Sequence, residues 1–158
     1  MLLRQAEPGD YAPIISVIND WWGGRQMADM LPKLFFVHFR DTSFVIECED
    51  ERVAFLIGLQ SQTDPDQAYI HFVGVHPDYR KDGLGRSLYE RFFEAAKTRG
   101  CKVVRCVTSP VNKPSIGFHL RMGFEPEAGN ATSDDGVPVH QNYDGRGEDR
   151  VLFRYDLK

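Results

Sequence analysis

The chain has 158 residues, 42% of them hydrophobic and 27% charged, as expected for one globular domain with its own core. Its net charge of −4 disfavours nucleic-acid binding and is compatible with a cationic substrate such as an amine. No apolar run approaches the roughly 18 residues of a membrane span, and the N-terminal segment turns polar at Arg4, which predicts a cytoplasmic protein without a secretory signal. Cys48, Cys101 and Cys106 lie in strand-like runs without metal-like spacing, so we expect buried, reduced thiols.

The first half of the chain alternates helical and strand patterns. The spacing of apolar residues predicts a strand over 2–6, a helix over 8–22, a second helical stretch over 25–40 with a kink at Pro32, and strands over 43–50, 52–60 and 68–77. The first two of these later strands should join through a tight acidic turn.

The second half begins with a long amphipathic helix that ends before Gly100. A strand over 101–109, a helix from Asn112 to Gly123, a strand from Phe124 and a final strand over 150–158 follow. Residues 126–150 are rich in Gly, Asp and Asn, which predicts a polar loop or extended hairpin insert. The order of elements favours a single α/β (α+β) domain, residues 1–158, around one sheet.

The segment VHPDYRKDGLGRSLYERFF (75–93) places a glycine-containing loop between a strand and a helix. Gly83 and Gly85 remove side chains where backbone N–H groups can converge, and the helix N-terminus adds unpaired donors that suit a phosphate. The segment lacks the G-x-G-x-x-G and Gly-Lys-Ser/Thr patterns of nucleotide sites, and two glycines alone can simply form a turn.

The segment NKPSIGFHLRMGF (112–124) predicts a short helix with an unusual polar face. Asn112, Ser115 and His119 share that face, because side chains three or four apart in a helix lie together. The face is either a solvated edge or a contact to a polar ligand.

These two segments resemble the conserved motifs of the GCN5-related N-acetyltransferases (GNAT). RKDGLG after VGVHPDY is similar to motif A, (Arg/Gln)-x-x-Gly-x-(Gly/Ala), NKPSIGFHLRMGF is similar to motif B, and LLRQAEPGDY looks like the family's first strand and helix. The resemblance covers residues 1–125 and the last strand. It implies a mixed, mostly antiparallel sheet of six to seven strands with a V-shaped opening between strands 4 and 5, and about four helices on both faces.

The resemblance also implies acetyl-coenzyme A as co-substrate and direct acetyl transfer to a primary amine, without a metal. Val73 and Val75 would bind the pantetheine arm through their backbone, with the Val73 N–H near the thioester oxygen, and Asn112, Ser115 and Phe118 would contact the cofactor from the other side. The pyrophosphate would lie against the motif A loop, formed by Arg80, Lys81, Asp82, Gly83, Leu84, Gly85, Arg86 and Ser87.

Two histidines are the candidate catalytic residues. Relatives often carry a base on the fourth strand, where Tyr69 and His71 share one face. His71 is either this base or a core or surface histidine, and we take it as the candidate base. Relatives commonly carry a Tyr at the position of His119, where it protonates the departing thiolate. Either His119 donates to the sulfur, or it fills the position structurally and water supplies the proton.

The acceptor is expected to be an amine of a small molecule or a peptide, and family members are frequently homodimers. We place Trp22 in the core and Trp21 near the acceptor pocket, and expect a capping or surface role for His76. Tyr143 and its acidic neighbours in the insert could bind an ammonium group or form a solvated loop. Two alternatives remain, namely a non-catalytic acyl-coenzyme A sensor and another phosphate- or nucleotide-binding module.

Overall fold

A seven-stranded sheet with the order β1-β2-β3-β4-β5-β9-β6 runs through the computed structural model, which describes residues 1–158. Its strands are β1 (Leu2–Gln5), β2 (Phe44–Cys48), β3 (Glu51–Gln60), β4 (Gln67–Val75), β5 (Val103–Thr108), β6 (Glu125–Pro126) and β9 (Val151–Asp156). All neighbouring strands are antiparallel except β4 and β5, which are parallel. The predicted mixed, mostly antiparallel sheet is therefore confirmed.

Helices cover both faces of the sheet. They are α1 (Tyr11–Ile15), α2 (Ile18–Trp21), α3 (Leu34–His38), α4 (Leu84–Thr98) and α5 (Lys113–Met122). A cluster of 22 buried residues packs the sheet against α4 and α5, and a cluster of 10 packs it against α1, α2 and α3. None of the helices has the length and apolar character needed to cross a lipid bilayer.

The two helices predicted for the first half of the chain are wrong as continuous elements. The 8–22 helix is divided into a 3-10 turn (Pro8–Asp10), α1 and α2, with the break at Ser16, whose hydroxyl donates to the carbonyl of Pro13 at 2.8 Å. The 25–40 stretch contains only the turn Ala28–Met30, α3 and the turn Arg40–Thr42, because Pro32 excludes the preceding residue from helical geometry.

The predicted opening of the sheet between the fourth and fifth strands is present. β4 pairs with β5 only from Gln67 to Tyr69, and the two strands separate beyond that point. The register with β3 pairs Ile57 with Phe72 and Gly58 with Ile70, which leaves His71 unpaired in a β-bulge. The opening and the bulge therefore lie side by side on β4.

The insert at 126–150 forms a hairpin, one of the two predicted alternatives. Strands β7 (Ala131–Thr132) and β8 (Pro138–Val139) pair, and an isolated bridge joins His140 to Arg150. The loop between those two residues is held by Asn142, whose side-chain oxygen accepts from the Gly147 amide at 2.7 Å.

Candidate active site

A cleft of about 510 Å³ opens where β4 and β5 separate, and we call it the central cleft. It is lined by 20 residues from β4, β5, α4, α5, the segment 22–30 and the insert, and these include Tyr69, His71, Val73, Ser115 and His119. A second cavity of about 610 Å³ lies beside residues 37–42 and Arg99, and contains none of the predicted site residues. We therefore place the functional site in the central cleft.

The N-terminus of α4 has the properties of an anion site. Gly83 precedes the helix with φ of +75°, a conformation that favours glycine. The amides of Leu84, Gly85 and Arg86 lie in the first turn and have no carbonyl partner, whereas the Ser87 amide donates to the Gly83 carbonyl at 3.1 Å. Three converging donors are thus available to a phosphate.

The side chains of the motif A loop contribute less than the sequence suggests. The Arg80 guanidinium donates to the backbone carbonyls of Trp21 and Val75, so it ties α2 to the end of β4 and does not face the α4 amides. Lys81 and Asp82 are exposed, and the Arg86 side chain lies 3.8 Å from Glu90. Backbone groups therefore dominate this site.

The backbone of β4 presents unpaired groups to the opening. The amide of His76 donates to Val53 of β3 at 2.8 Å, and strand alternation turns Val73 and Val75 to the opposite edge. The Val75 carbonyl accepts from Arg80 Nε at 3.1 Å, which agrees with this orientation. The Val73 N–H and carbonyl face the region between β4 and β5, where an extended ligand arm can pair with them.

Helix α5 forms the opposite wall of the cleft and begins as predicted. Asn112 is its N-cap, with Oδ1 accepting from the Ser115 amide at 3.3 Å, and Gly123 ends it with φ of +99°. Phe118 lies against Gly85 at the junction of α4 and α5. A Cβ atom placed on Gly85 would lie 3.4 Å from the Phe118 ring. Phe118 thus contacts the motif A turn.

His119 is almost completely buried, with 6% of its surface exposed, although it lines the central cleft. Its Nδ1 lies 2.7 Å from the Ser115 carbonyl and its Nε2 lies 2.8 Å from the Tyr89 hydroxyl. A carbonyl can only accept, so Nδ1 carries the proton and Nε2 accepts from Tyr89. Burial lowers the pKa of His119, which favours the neutral ring.

His71 and Tyr69 both line the cleft, as their shared strand face predicts. His71 Nε2 lies 2.6 Å from the Met30 carbonyl, and its ring stacks on Phe35 with centroids 4.4 Å apart. Tyr69 is partly buried, and this burial raises the pKa of its hydroxyl. Tyr69 has no basic nitrogen, so His71 is the one of the two whose neutral side chain can accept a proton at nitrogen.

The two tryptophans have the reverse of their predicted placements. Trp21 is 5% exposed and packs in the core on Phe55, whereas Trp22 lines the cleft with its ring edge-on to Phe72. The helix break between α1 and α2 changes the rotational phase on which the prediction depended. His76 caps the turn after β4 by accepting from the Asp78 amide at 3.0 Å, as expected.

The acceptor side of the cleft combines the segment 22–30 with the insert. Arg25 is exposed at the rim and forms no ion pair. Asp144 and Glu148 line the cleft through their ion pairs with Arg150, at 2.8 and 3.3 Å. Tyr143 is half exposed and lies outside the lining.

Sequence reasoning missed Tyr89 and Arg25. Tyr89 follows Gly85 by one helical turn on the face that α4 turns to the core, and the sequence patterns gave it no role. Its hydrogen bond to His119 joins residues 30 positions apart, and no local pattern signals such a contact.

Comparison with known proteins assigns the chain to a family. The model of the Acetyltransferase (GNAT) family matches residues 11–124, which is most of the chain, so the chain belongs to this family. The fold is also that of a crystal structure of a GNAT-family acetyltransferase from Desulfovibrio desulfuricans, with a TM-score of 0.80, 19% identity and 99% of both chains covered. A Salmonella typhimurium acetyltransferase solved with acetyl-coenzyme A superposes with a TM-score of 0.70 and 22% identity, over 99% of this chain and 94% of that one.

Two curated relatives are more similar in sequence. An uncharacterized N-acetyltransferase of Methanocaldococcus jannaschii is 34% identical over 54% of this chain and 39% of its own length. The L-2,4-diaminobutyric acid acetyltransferase of Nocardia farcinica is 28% identical over 74% of this chain and 61% of its own length. The aligned part of the chain thus spans less than two thirds of either relative.

Proposed function

We propose that the protein is an acetyl-coenzyme A-dependent N-acetyltransferase that passes the acetyl group directly to a primary amine. The observation that carries this proposal is the arrangement of three features around the opening of the sheet. Val73 of β4 and His71 line the central cleft, and the free amides at the start of α4 belong to the helix that also lines this cleft through Tyr89.

The residues present fit the cofactor. The amides of Leu84, Gly85 and Arg86 would hold the pyrophosphate, and the absence of a side chain at Gly83 leaves their approach open. Val73 and Val75 would pair with the pantetheine arm, and Ser115 and Asn112 would contact it from α5. The bound thioester supplies the acetyl group, and the Val73 N–H would donate to its oxygen as negative charge develops there.

The amine must lose a proton before it can attack. An alkylamine with a pKa of about 10.4 is neutral in only about one molecule in 2,500 at pH 7, which corresponds to roughly 4.6 kcal/mol. His71 is our candidate for the base that accepts this proton, directly or through water. It lies on the cleft wall beside the segment 22–30, which would hold the acceptor.

The departing thiolate must gain a proton. Both ring nitrogens of His119 already form hydrogen bonds within the protein, and the neutral ring has no second N–H group to donate. This geometry favours the second of the two alternatives, in which His119 holds its position and water protonates the sulfur. An acid role for His119 requires it to leave the Ser115 carbonyl.

The acceptor half of the cleft contains both signs of charge. Arg25 could bind a carboxylate, and Asp144 and Glu148 could bind an ammonium group. The Nocardia farcinica relative is named for a small amino acid, and a small-molecule or peptide amine would fit the same charges. The three free cysteines agree with a reducing, cytoplasmic location.

An acceptor screen tests the proposal. Purified protein is incubated with acetyl-coenzyme A and a panel of amino acids, polyamines, small amines and peptides, and free thiol release is followed. Release above the hydrolysis background for at least one amine is expected, and it should fall at least tenfold in His71→Gln. Binding of acetyl-coenzyme A without transfer to any amine would favour the sensor, and a thermal shift with ADP alone would favour a nucleotide module.

A further inference from the structure

The ring of His71 is held by two groups that come from the acceptor side of the cleft. Its Nε2 lies 2.6 Å from the Met30 carbonyl, which can only accept a hydrogen bond. Nε2 must therefore carry the ring proton, and Nδ1 of the neutral ring keeps its lone pair. Phe35 of α3 stacks on the ring with an interplanar angle of 15°, which fixes the plane in which that lone pair lies.

Nδ1 of His71 is the nitrogen left for chemistry. It forms no hydrogen bond within the protein, and it is not among the side-chain atoms that are both buried and unpaired. The bulge on β4 leaves His71 without a paired residue on β3. Its ring contacts are the edge of Phe72, the stacked ring of Phe35 and the Met30 carbonyl, and the last two come from outside β4.

We propose that Phe35 and the Met30 carbonyl form a positioning device, which locks His71 in the tautomer with a basic Nδ1 and ties the base to the acceptor wall. This inference rests on the proposed function for its catalytic meaning, but the tautomer itself does not. Phe35 does not line the cleft, so it acts through His71 and is a positioning residue. Met30 belongs to the same segment as Arg25 and Met27, and a movement of that wall on acceptor binding would move the base with it.

The test compares Phe35→Leu with two controls. Phe35→Tyr keeps a flat ring against His71, and Phe39→Leu removes an aromatic ring that contacts Phe35 at 5.4 Å but has no contact with His71. Long-range proton–nitrogen NMR spectra of the histidine side chains, assigned with His71→Gln and recorded well above the ordinary His pKa of about 6.5, report the tautomer directly. Steady-state kinetics use acetyl-coenzyme A and whichever amine the screen identifies.

We expect His71 to show the Nε2–H tautomer in the wild type, Phe35→Tyr and Phe39→Leu, and a mixture in Phe35→Leu. The kcat of Phe35→Leu should fall about tenfold with the KM for acetyl-coenzyme A unchanged, since misorientation of a base affects the transfer step. An Nδ1–H tautomer in the wild type, or an unaltered tautomer in Phe35→Leu, would overturn the lock. An altered tautomer with unchanged kcat would overturn the positioning role and leave the proposed function intact, whereas absence of transfer by the wild type would refute the proposed function alone.

Discussion

The buried hydrogen bond between Tyr89 and His119 makes a prediction that can be tested without knowing the acceptor. The Tyr89→Phe variant deletes only the hydroxyl oxygen, so the packing of the ring on Phe118 and Phe124 is retained. It leaves Nε2 of His119 buried without a partner, since that nitrogen has no other neighbour within hydrogen-bond distance. The variant therefore isolates the cost of one unpaired acceptor.

The expected cost is about 1–3 kcal/mol, the penalty of leaving a buried polar group unsatisfied. For a domain of this size each kcal/mol corresponds to a fall in Tm of roughly 2–4 °C. His119→Phe should cost a similar amount, because it leaves the Tyr89 hydroxyl unpaired while its ring can still stack on Phe153, as the His119 ring does at 5.0 Å. The double variant removes both polar atoms and should cost no more than either single variant.

Urea denaturation of the four proteins at slightly alkaline pH closes this double-mutant cycle. A coupling of about 1 kcal/mol or more is expected, and additivity within about 0.5 kcal/mol would refute the hydrogen bond as described. The same His119→Phe protein also tests the acid role at saturating acetyl-coenzyme A. Near-normal turnover is expected from the geometry and would exclude proton donation by His119.

Three further predictions concern the pH dependence of stability, cofactor binding and the buried carboxylate of Asp10. Burial lowers the pKa of His119 below its value in the unfolded chain, so the unfolded chain takes up the extra proton first as the pH falls. The Tm of the wild type should therefore decrease faster than that of His119→Phe below about pH 6.5, and an equal decrease of both Tm values would contradict this. Gly83→Ala and Gly100→Ala both place a side chain at positive φ in open space, so each should cost about 1 kcal/mol of stability, but only Gly83→Ala should weaken acetyl-coenzyme A binding in calorimetry. Asp10 is fully buried, and although burial raises its pKa, hydrogen bonds from Arg4 and Arg52 lower that pKa overall. Asp10→Asn should therefore lower the free energy of unfolding by about 3 kcal/mol in urea denaturation, and a loss below about 1 kcal/mol would count against the ion pairs.

The fold could be predicted from the sequence wherever local patterns and tertiary structure agree. The helix from Asn112 to Gly123 was predicted because its cap and its stop are single residues with strong conformational preferences. The segments 8–22 and 25–40 were predicted poorly, because the hydrogen bond from Ser16 to the Pro13 carbonyl and the restriction before Pro32 interrupt a weak helical period.

The site shows the same limit at the level of side chains. The glycines of motif A predicted the turn before α4, since Gly83 adopts a positive φ where that helix begins, and the anion site itself stays a prediction. The direction of the Arg80 side chain could not be predicted, because it donates to the carbonyls of Trp21 and Val75. Trp21 lies 59 residues away in the sequence, and no local pattern signals that contact. Sequence spacing identifies residues on one face of an element, whereas the partner of a long side chain depends on what the fold brings beside it.

The two cleft histidines differ in chemistry because each has a different nitrogen bound to a carbonyl. His119 donates from Nδ1 to the Ser115 carbonyl and accepts at Nε2 from the Tyr89 hydroxyl, so neither ring nitrogen is available to a substrate. His71 donates from Nε2 to Met30 and keeps Nδ1 unpaired beside the cleft. In each histidine one backbone carbonyl decides which ring nitrogen carries the proton. His119 is thereby left with both nitrogens paired, and His71 is left with one nitrogen that can act as a base. A histidine on the wall of a cleft is therefore not evidence for a catalytic acid until its hydrogen-bond partners are known.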